Sequence, residues 1–251
     1  MKLKTLTSSL LAGFAFVVFA TAPAKAGEEM SKVVVEEEIV VEEESWWSAE
    51  LAAGWDSRYM FRGVDLLNGG SLAWTDLSFS TYGFTLGAWY ATGVNDDFNE
   101  IDIYASYAWS LGPVDVEGGY IFYGFPRGGG ETHEFFAALS TEAIPFVTPG
   151  LAFYYDFDDF EGGWLEFSLA SSIPVVEDVV SIDPFAAISY DFEYNSNDND
   201  LNNVQVGVEV PVALSENITL SGYVAYSWAL DAIDDFQDDE FWGGAAISFA
   251  F

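Results

Sequence analysis

Phe241-Trp242-Gly243-Gly244-Ala245-Ala246-Ile247-Ser248-Phe249-Ala250-Phe251 places apolar side chains at alternate positions (Phe241, Ala245, Ile247, Phe249 and Phe251) and stops on one of them. A period of two is the signature of a strand with one apolar face. The same rhythm runs back to about residue 48, and an export signal stands in front of it. The combination predicts an all-β chain: an antiparallel, up-and-down transmembrane β-barrel of a bacterial outer membrane. Its last strand ends on an aromatic, the form in which a C-terminal strand is handed to the barrel-assembly machinery.

Working outward, residues 1–26 read as a cleaved signal peptide. Lys2 and Lys4 supply the charged start, Ser9 to Ala20 the apolar run, and Ala24-Lys25-Ala26 the cleavage site. The run is shorter than the roughly 20 apolar residues a spanning helix needs. An uncleaved N-terminal anchor is the alternative. Nothing further along offers an uninterrupted run of roughly 18 apolar residues, which excludes helical spans.

The chain holds 7 Lys+Arg, 41 Asp+Glu and no cysteine. Lys2, Lys4 and Lys25 lie in the signal and no acid does, leaving four bases against 41 acids, or −37, for residues 27–251. Such a chain repels nucleic acid. Without disulfides, closure of the sheet must supply stability. The acidity reads either as solubility in a salty habitat or as a cation-attracting surface or pore. An apolar fraction of 51%, with 18% aromatic, is too high for a disordered chain.

Residues 27–47 form an acidic, low-complexity stretch, Val33-Val34-Val35-Glu36-Glu37-Glu38-Ile39-Val40-Val41-Glu42-Glu43-Glu44 at its centre. It reads as a flexible periplasmic lead-in, with a strand added to a partner or a segment tucked into the pore as alternatives. Trp46 and Trp47 then mark the membrane boundary, where amphipathic rings settle.

From residue 48 to 251 the pattern predicts twelve strands: 48–62, 71–81, 83–92, 99–110, 114–124, 132–142, 148–156, 163–173, 179–193, 202–212, 217–229 and 240–251. Tight turns at Thr81–Gly83, Leu111–Pro113, Ala143–Phe146, Pro174–Glu177 and Ala213–Glu216 take turns with longer loops at 63–70, 93–98, 125–131, 157–162, 194–201 and 230–239. Short periplasmic turns and long external loops are the outer-membrane arrangement.

One facing phase keeps acids off the lipid. It sends Ile101, Ile103, Ala105, Tyr107 and Trp109 outward in one strand, Val204, Val206, Val208, Val210 and Val212 in another, and Ile218, Leu220, Val224, Tyr226 and Trp228 in the next. The opposite phase would turn Asp56, Asp76, Asp102, Asp115, Glu134, Glu166, Asp183 or Glu209 into lipid. A misplaced base near the midplane costs about 2–4 kcal/mol, and an acid less; eight misplaced acids would exceed a typical folding free energy. A soluble β-sandwich also alternates, but export, strand length, aromatic strand ends (Trp109, Trp228, Phe251) and the asymmetry of loops and turns favour the membrane.

The first strand carries Trp55-Asp56-Ser57-Arg58-Tyr59-Met60-Phe61-Arg62-Gly63. With Tyr59 and Phe61 outward, Asp56, Arg58 and Arg62 point into a lumen otherwise lined by Asp76, Asp102, Asp115, Glu117, Glu134, Glu166, Asp183 and Glu209. Two readings stand: internal ion pairing that neutralises and narrows the interior, or a constriction or gate whose arginines meet a solute.

Tyr59-Met60-Phe61-Arg62-Gly63, Gly69-Gly70 and Tyr82-Gly83-Phe84-Thr85-Leu86-Gly87-Ala88-Trp89 resemble the opening of the Gcw conserved hypothetical family of bacterial proteins. That family shows a Tyr-x-Phe-Arg-Gly element followed by Gly-Phe-Tyr-x-Gly-x-Trp; Thr85 stands where the family has an aromatic. The resemblance spans about 40 residues. It implies an outer-membrane-type barrel without an established activity.

Three acidic loops, around Asp156–Glu161, Asn195–Asp200 and Asp231–Glu240, offer oxygen ligands. Asp198, Asp200, Asp234, Asp235, Asp238 and Asp239 are the candidates for loop-bound Ca²⁺ or Mg²⁺, including divalent bridging to lipopolysaccharide phosphates. None has full calcium-loop spacing, and solvated loop tips are the plainer reading; no other cofactor is expected.

An enzyme is not expected. The single His133 faces outward while Glu134 faces inward, and no Ser–His–acid set can be assembled. Gly128-Gly129-Gly130 has no helix behind it to form a phosphate loop. The leading expectation is a narrow channel for passive passage of small solutes with a modest cation preference. A non-conducting structural or adhesion barrel acting through its acidic external loops is the alternative, and a lipid-active enzyme a third reading.

Overall fold

The computed structural model describes residues 46–251. The signal peptide and the lead-in up to residue 45 lie outside the described residues. Fifteen strands follow in order: β1 Trp47–Asp56, β2 Met60–Phe61, β3 Val64–Asp65, β4 Leu72–Thr81, β5 Phe84–Gly93, β6 Asn99–Leu111, β7 Val114–Gly124, β8 Glu131–Ser140, β9 Thr148–Asp156, β10 Gly163–Ala170, β11 Ile173–Val176, β12 Val180–Phe192, β13 Asn199–Ser215, β14 Ile218–Ala229 and β15 Glu240–Ala250.

Twelve of them form one closed antiparallel ring, β1-β4-β5-β6-β7-β8-β9-β10-β12-β13-β14-β15, with β10 pairing β12 and β15 pairing β1. At the seam Glu50 stands opposite Ala250 and Asp56 opposite Gly244. Phe251 extends it: its N–H donates to the Ala49 carbonyl at 2.9 Å. Closure leaves the barrel without an edge, the only way a sheet can satisfy its backbone inside lipid.

Local sequence explains the connections. Between Thr81 and Phe84 a two-residue turn has Tyr82 at φ 49° and Gly83 at φ 86°, both left-handed, as the hairpin turn that matches strand twist requires. The predicted strand 163–173 is split: β10 ends at Ala170, and Ser171-Ser172 lead into β11, which pairs the start of β12. Pro174 cannot donate to a ladder, and the tight turn falls at residues 177–179 rather than at Pro174.

The outer wall follows the alternation. Ile103, Val206, Leu220 and Val224 are exposed, while Glu117, Glu134 and Glu209 on the other phase are buried. Small inward residues make room for inward rings: Tyr104 lies over Gly87 and Phe185 over Gly207, where an added Cβ would meet ring carbons at 2.1 Å.

The first predicted strand is also corrected. The first strand ends at Asp56, not at residue 62, and residues 57–71 fold back into the barrel. Tyr59 does not face lipid but is buried (5% exposed), and Phe61 packs against the interior. Their rings pack against the aromatic interior, and polar groups of the segment find partners there.

Candidate functional site

Segment 57–71 is tied to the wall where it starts: the Ser57 N–H donates to the Gly243 carbonyl at 2.9 Å, and Gly243 N–H to Ser57 Oγ at 3.0 Å. It then forms the β2–β3 hairpin, pairing Met60 with Asp65 and Phe61 with Val64. The two turn residues are Arg62 (φ 50°) and Gly63 (φ 84°). Glycine suits this conformation; for arginine it is strained by about 1–2 kcal/mol. A Cβ on Gly63 would approach Asn202 Nδ2 and Asn203 Cγ to 2.9 Å.

Contacts around Arg62 hold that strained turn. Its guanidinium donates to both oxygens of Glu134, Nη1 to Oε2 at 2.7 Å and Nη2 to Oε1 at 2.8 Å. Neither side chain is exposed. Four rings surround it, with centroids 4.9 Å (Phe61), 4.7 Å (Tyr154), 5.2 Å (Trp164) and 4.2 Å (Tyr194) from Cζ. The Arg62 carbonyl accepts from Asn202 Nδ2 at 2.8 Å and Asn195 Nδ2 at 3.1 Å. Tyr123 OH donates to Glu134 Oε1 at 3.1 Å. Arg62 Nε and Trp164 Nε1 are buried without a hydrogen-bond partner.

The rest of the segment spreads across the lumen. Tyr59 OH donates to Glu100 at 2.7 Å, and its ring meets Phe98 and Trp89. Burial, with Glu100 and Asp102 alongside, holds the Tyr59 phenol well above its ordinary pKa, so it stays a neutral donor. Burial likewise raises Tyr194, against the pull of Arg62. Arg58 bridges Asp65 at 2.8 Å and Glu240 at 3.1 Å. The Asp65 N–H donates to Gln237 Oε1 at 2.9 Å. Gln237 belongs to residues 230–239, which make a helical turn (Gln237 N–H to the Ile233 carbonyl, 2.9 Å) and bury Ile233 completely. Segment 57–71 thus contacts walls all round the ring, from β5 and β6 through β8, β9 and β10 to β13 and β15, and fills the lumen toward the end of the long connections.

Most of the other inward acids lie across the middle of the lumen and toward the short-turn end. Asp56 accepts from Trp74 Nε1 at 2.7 Å and Tyr223 OH at 2.6 Å. Asp76 accepts from Tyr104 OH at 3.1 Å, Asp115 from Ser110 at 2.6 Å and Asp183 from Ser172 at 2.7 Å. Glu166 sits mid-strand, opposite Ser189 and Ala152. Asp102 Oδ1, Glu117 Oε2 and Glu209 Oε1 are buried oxygens without a hydrogen-bond partner. The structure brings Arg62 together with Glu134, places Arg58 at the rim, and leaves the remaining acids distributed around the wall.

The loop acids do not converge. Asp198, Asp200, Asp234, Asp235, Asp238 and Asp239 are exposed; Asp239 accepts from the Ala229 N–H at 3.1 Å and Asp200 from the Leu201 N–H at 2.7 Å. Among the described residues no three His, Cys, Asp or Glu side chains gather as a metal site. His133 lies on the outer wall, bonded through Nδ1 to Tyr120 OH at 2.5 Å and stacked on Phe157, on the opposite face from Glu134.

Aromatic rings mark both ends of the outer wall. Trp46 stacks on Tyr82, Trp47 on Phe79 and Trp109 on Tyr107 at the short-turn end, where Phe251 is also exposed. Trp228 packs on Tyr226 at the other. Outside the filled lumen, a cavity of about 520 Å³ opens between Leu66, Leu67, Asp97, Phe98, Phe125 and Arg127.

Sequence reasoning missed Tyr154, Trp164, Tyr194, Asn195 and Asn202. The available signal was phase: Tyr154 shares the inward face with Asp156, and Trp164 with Glu166. Bulky rings on an acid-bearing face indicate a packed interior.

No family model matches the chain, and no curated protein matches it in sequence. Solved structures do match in fold. The KdgM porin superposes with a TM-score of 0.56 at 11% identity, covering 81% of this chain and 99% of that one. The NanC porin gives 0.56 at 13% identity, covering 80% and 98%. The COG4313 outer membrane channel from Pseudomonas putida F1 gives 0.51 at 10% identity, covering 87% and 100%. At such identities the likeness is one of fold: this chain is built as outer-membrane channel barrels are.

Proposed function

We propose that this chain is an outer-membrane conduit for small solutes with a modest preference for cations, its long connections facing outward and its short turns facing the periplasm. The carrying observation is the imbalance of the lumen. Three buried carboxylate oxygens (on Asp102, Glu117 and Glu209) lack partners, whereas Arg58, Arg62 and Arg127 are the only Lys or Arg between residues 46 and 251. Such a lining concentrates cations and repels anions. KdgM has been solved in complex with oligogalacturonate, a polyanion; the acidic wall here opposes a solute of that class. The apolar outer wall with aromatic rims supports the membrane setting, with lipid and lipopolysaccharide as its surroundings and the assembly machinery acting on β15. The likeness of residues 59–89 to the Gcw family adds no activity.

Planar-bilayer recording of refolded protein under a salt gradient tests this. A reversal potential of the sign for cation preference is expected; anion preference overturns the electrostatic reading. The second reading, a non-conducting structural or adhesion barrel, is favoured by one observation, the filling of the lumen by segment 57–71. Absence of conductance steps at high salt selects it.

A further inference from the structure

We propose that the box around Arg62 is a binding site for organic cations of the guanidinium class, occupied at rest by the chain's own Arg62 and open to a solute guanidinium when segment 57–71 withdraws. This deepens the conduit reading by naming its solute class, although the binding itself does not depend on conduction.

Geometry makes the case. Glu134 presents both oxygens to one planar cation at 2.7 and 2.8 Å, the fork-to-fork arrangement that selects guanidinium over a compact ammonium. Four ring faces complete the cage within 5.2 Å of Cζ, the arrangement that recognises weakly hydrated cations. Three of the rings, on Tyr154, Trp164 and Tyr194, and the carboxylate belong to the wall and its β12–β13 connection, not to the segment that supplies the arginine. When the hairpin leaves, most of the cage therefore stays.

The occupant is the strained partner. Arg62 holds a left-handed backbone at φ 50°, which its own residue type disfavours. Beyond the hairpin, Gly69 (φ 88°), followed by Gly70, takes the left-handed turn that glycine adopts without strain. On the long-connection side, the 520 Å³ cavity touches Leu66, Leu67 and Asn68 of the same segment. Asp102 and Glu166 lie on the inward faces of β6 and β10, where a released cation would next meet negative charge.

The test uses the full refolded chain in detergent with methylguanidinium as probe, read by tryptophan fluorescence and by shift of the unfolding temperature. Arg62→Ala vacates the box and should bind methylguanidinium saturably. Methylammonium should bind roughly tenfold more weakly, for want of the bidentate fit. Wild type should bind far more weakly still, because tethered Arg62 competes at high effective concentration. Adding Glu134→Gln to Arg62→Ala should abolish binding. Absence of saturable binding to a folded Arg62→Ala barrel, or binding unaffected by Glu134→Gln, overturns the proposal. Should Arg62→Ala fail to give the heat-modifiable folded form, Arg62→Gln takes its place under the same criteria. A barrel that binds methylguanidinium yet never conducts removes the conduit and leaves this site; one that conducts without binding does the reverse.

Discussion

Asp183 and Glu209 stand directly opposite one another on β12 and β13, both on the inward face. Like charges in that relation destabilise a sheet. A matching pair on β8 and β9, Glu134 opposite Asp156, has Arg62 against its glutamate. No arginine lies against Asp183 and Glu209; Ser172 donates to Asp183 at 2.7 Å, and Glu209 Oε1 has no donor. A cation passing through the lumen would meet two carboxylates here with no arginine to neutralise them. Asp183→Asn with Glu209→Gln should move the reversal potential toward zero under a salt gradient while leaving heat-modifiable folding intact. An unchanged potential would place the selectivity elsewhere in the lumen.

Removing one partner of the Arg62–Glu134 pair leaves the other charge buried and unpaired. Glu134→Ala should lower stability by about 3–5 kcal/mol, seen as a lower denaturant midpoint. Glu134→Gln keeps the shape and one acceptor, and should lower it less.

Gly63 lies against Asn202 and Asn203 of β13 with no room for a side chain. A side chain there meets Asn202 and Asn203 at 2.9 Å and must adopt φ 84°. Gly63→Val should therefore expel the hairpin tip without replacing any residue of the barrel wall. Larger single-channel conductance is the expected outcome, with the heat-modifiable barrel still formed but its denaturant midpoint lowered because Glu134 loses Arg62. Unchanged conductance would mean that the segment does not limit passage.

On the outer wall Leu220 and Val224 are exposed on β14. Val224→Arg should cost about 2–4 kcal/mol in a bilayer and reduce the folded fraction in lipid vesicles. Ser221→Thr, on the inward face of the same strand, should be silent in that assay.

The barrel itself was legible because lipid and lumen impose opposite demands on successive residues. Val204, Val206, Val208, Val210 and Val212 on one face of β13, with Glu209 on the other, admit a single orientation. The long and short connections set the strand count in the same way. The fate of Tyr59 and Phe61 was not legible. They continue the phase of Trp55, and alternation alone does not distinguish a ring turned to lipid from a ring turned into a packed lumen. What separates the two is long-range: Arg62 meets a carboxylate 72 residues away, and its carbonyl meets an amide 140 residues away. The fact that a chain with 41 acids and only 7 Lys+Arg places one of its few arginines beside a glycine turn was the local hint. The partners lay in other strands, and only the closed ring brings them within reach.

The pairing of β15 with β1 has a consequence for how the molecule comes into being. Seven opposed residue pairs join the two strands, so the circle is stitched from the two extremities of the sheet. Until that stitch is made, β1 and β15 both present bare backbone, and no intermediate length of chain can be a finished cylinder. Loss of the final strand would accordingly unmake the whole wall at once, exposing two adhesive margins rather than trimming one.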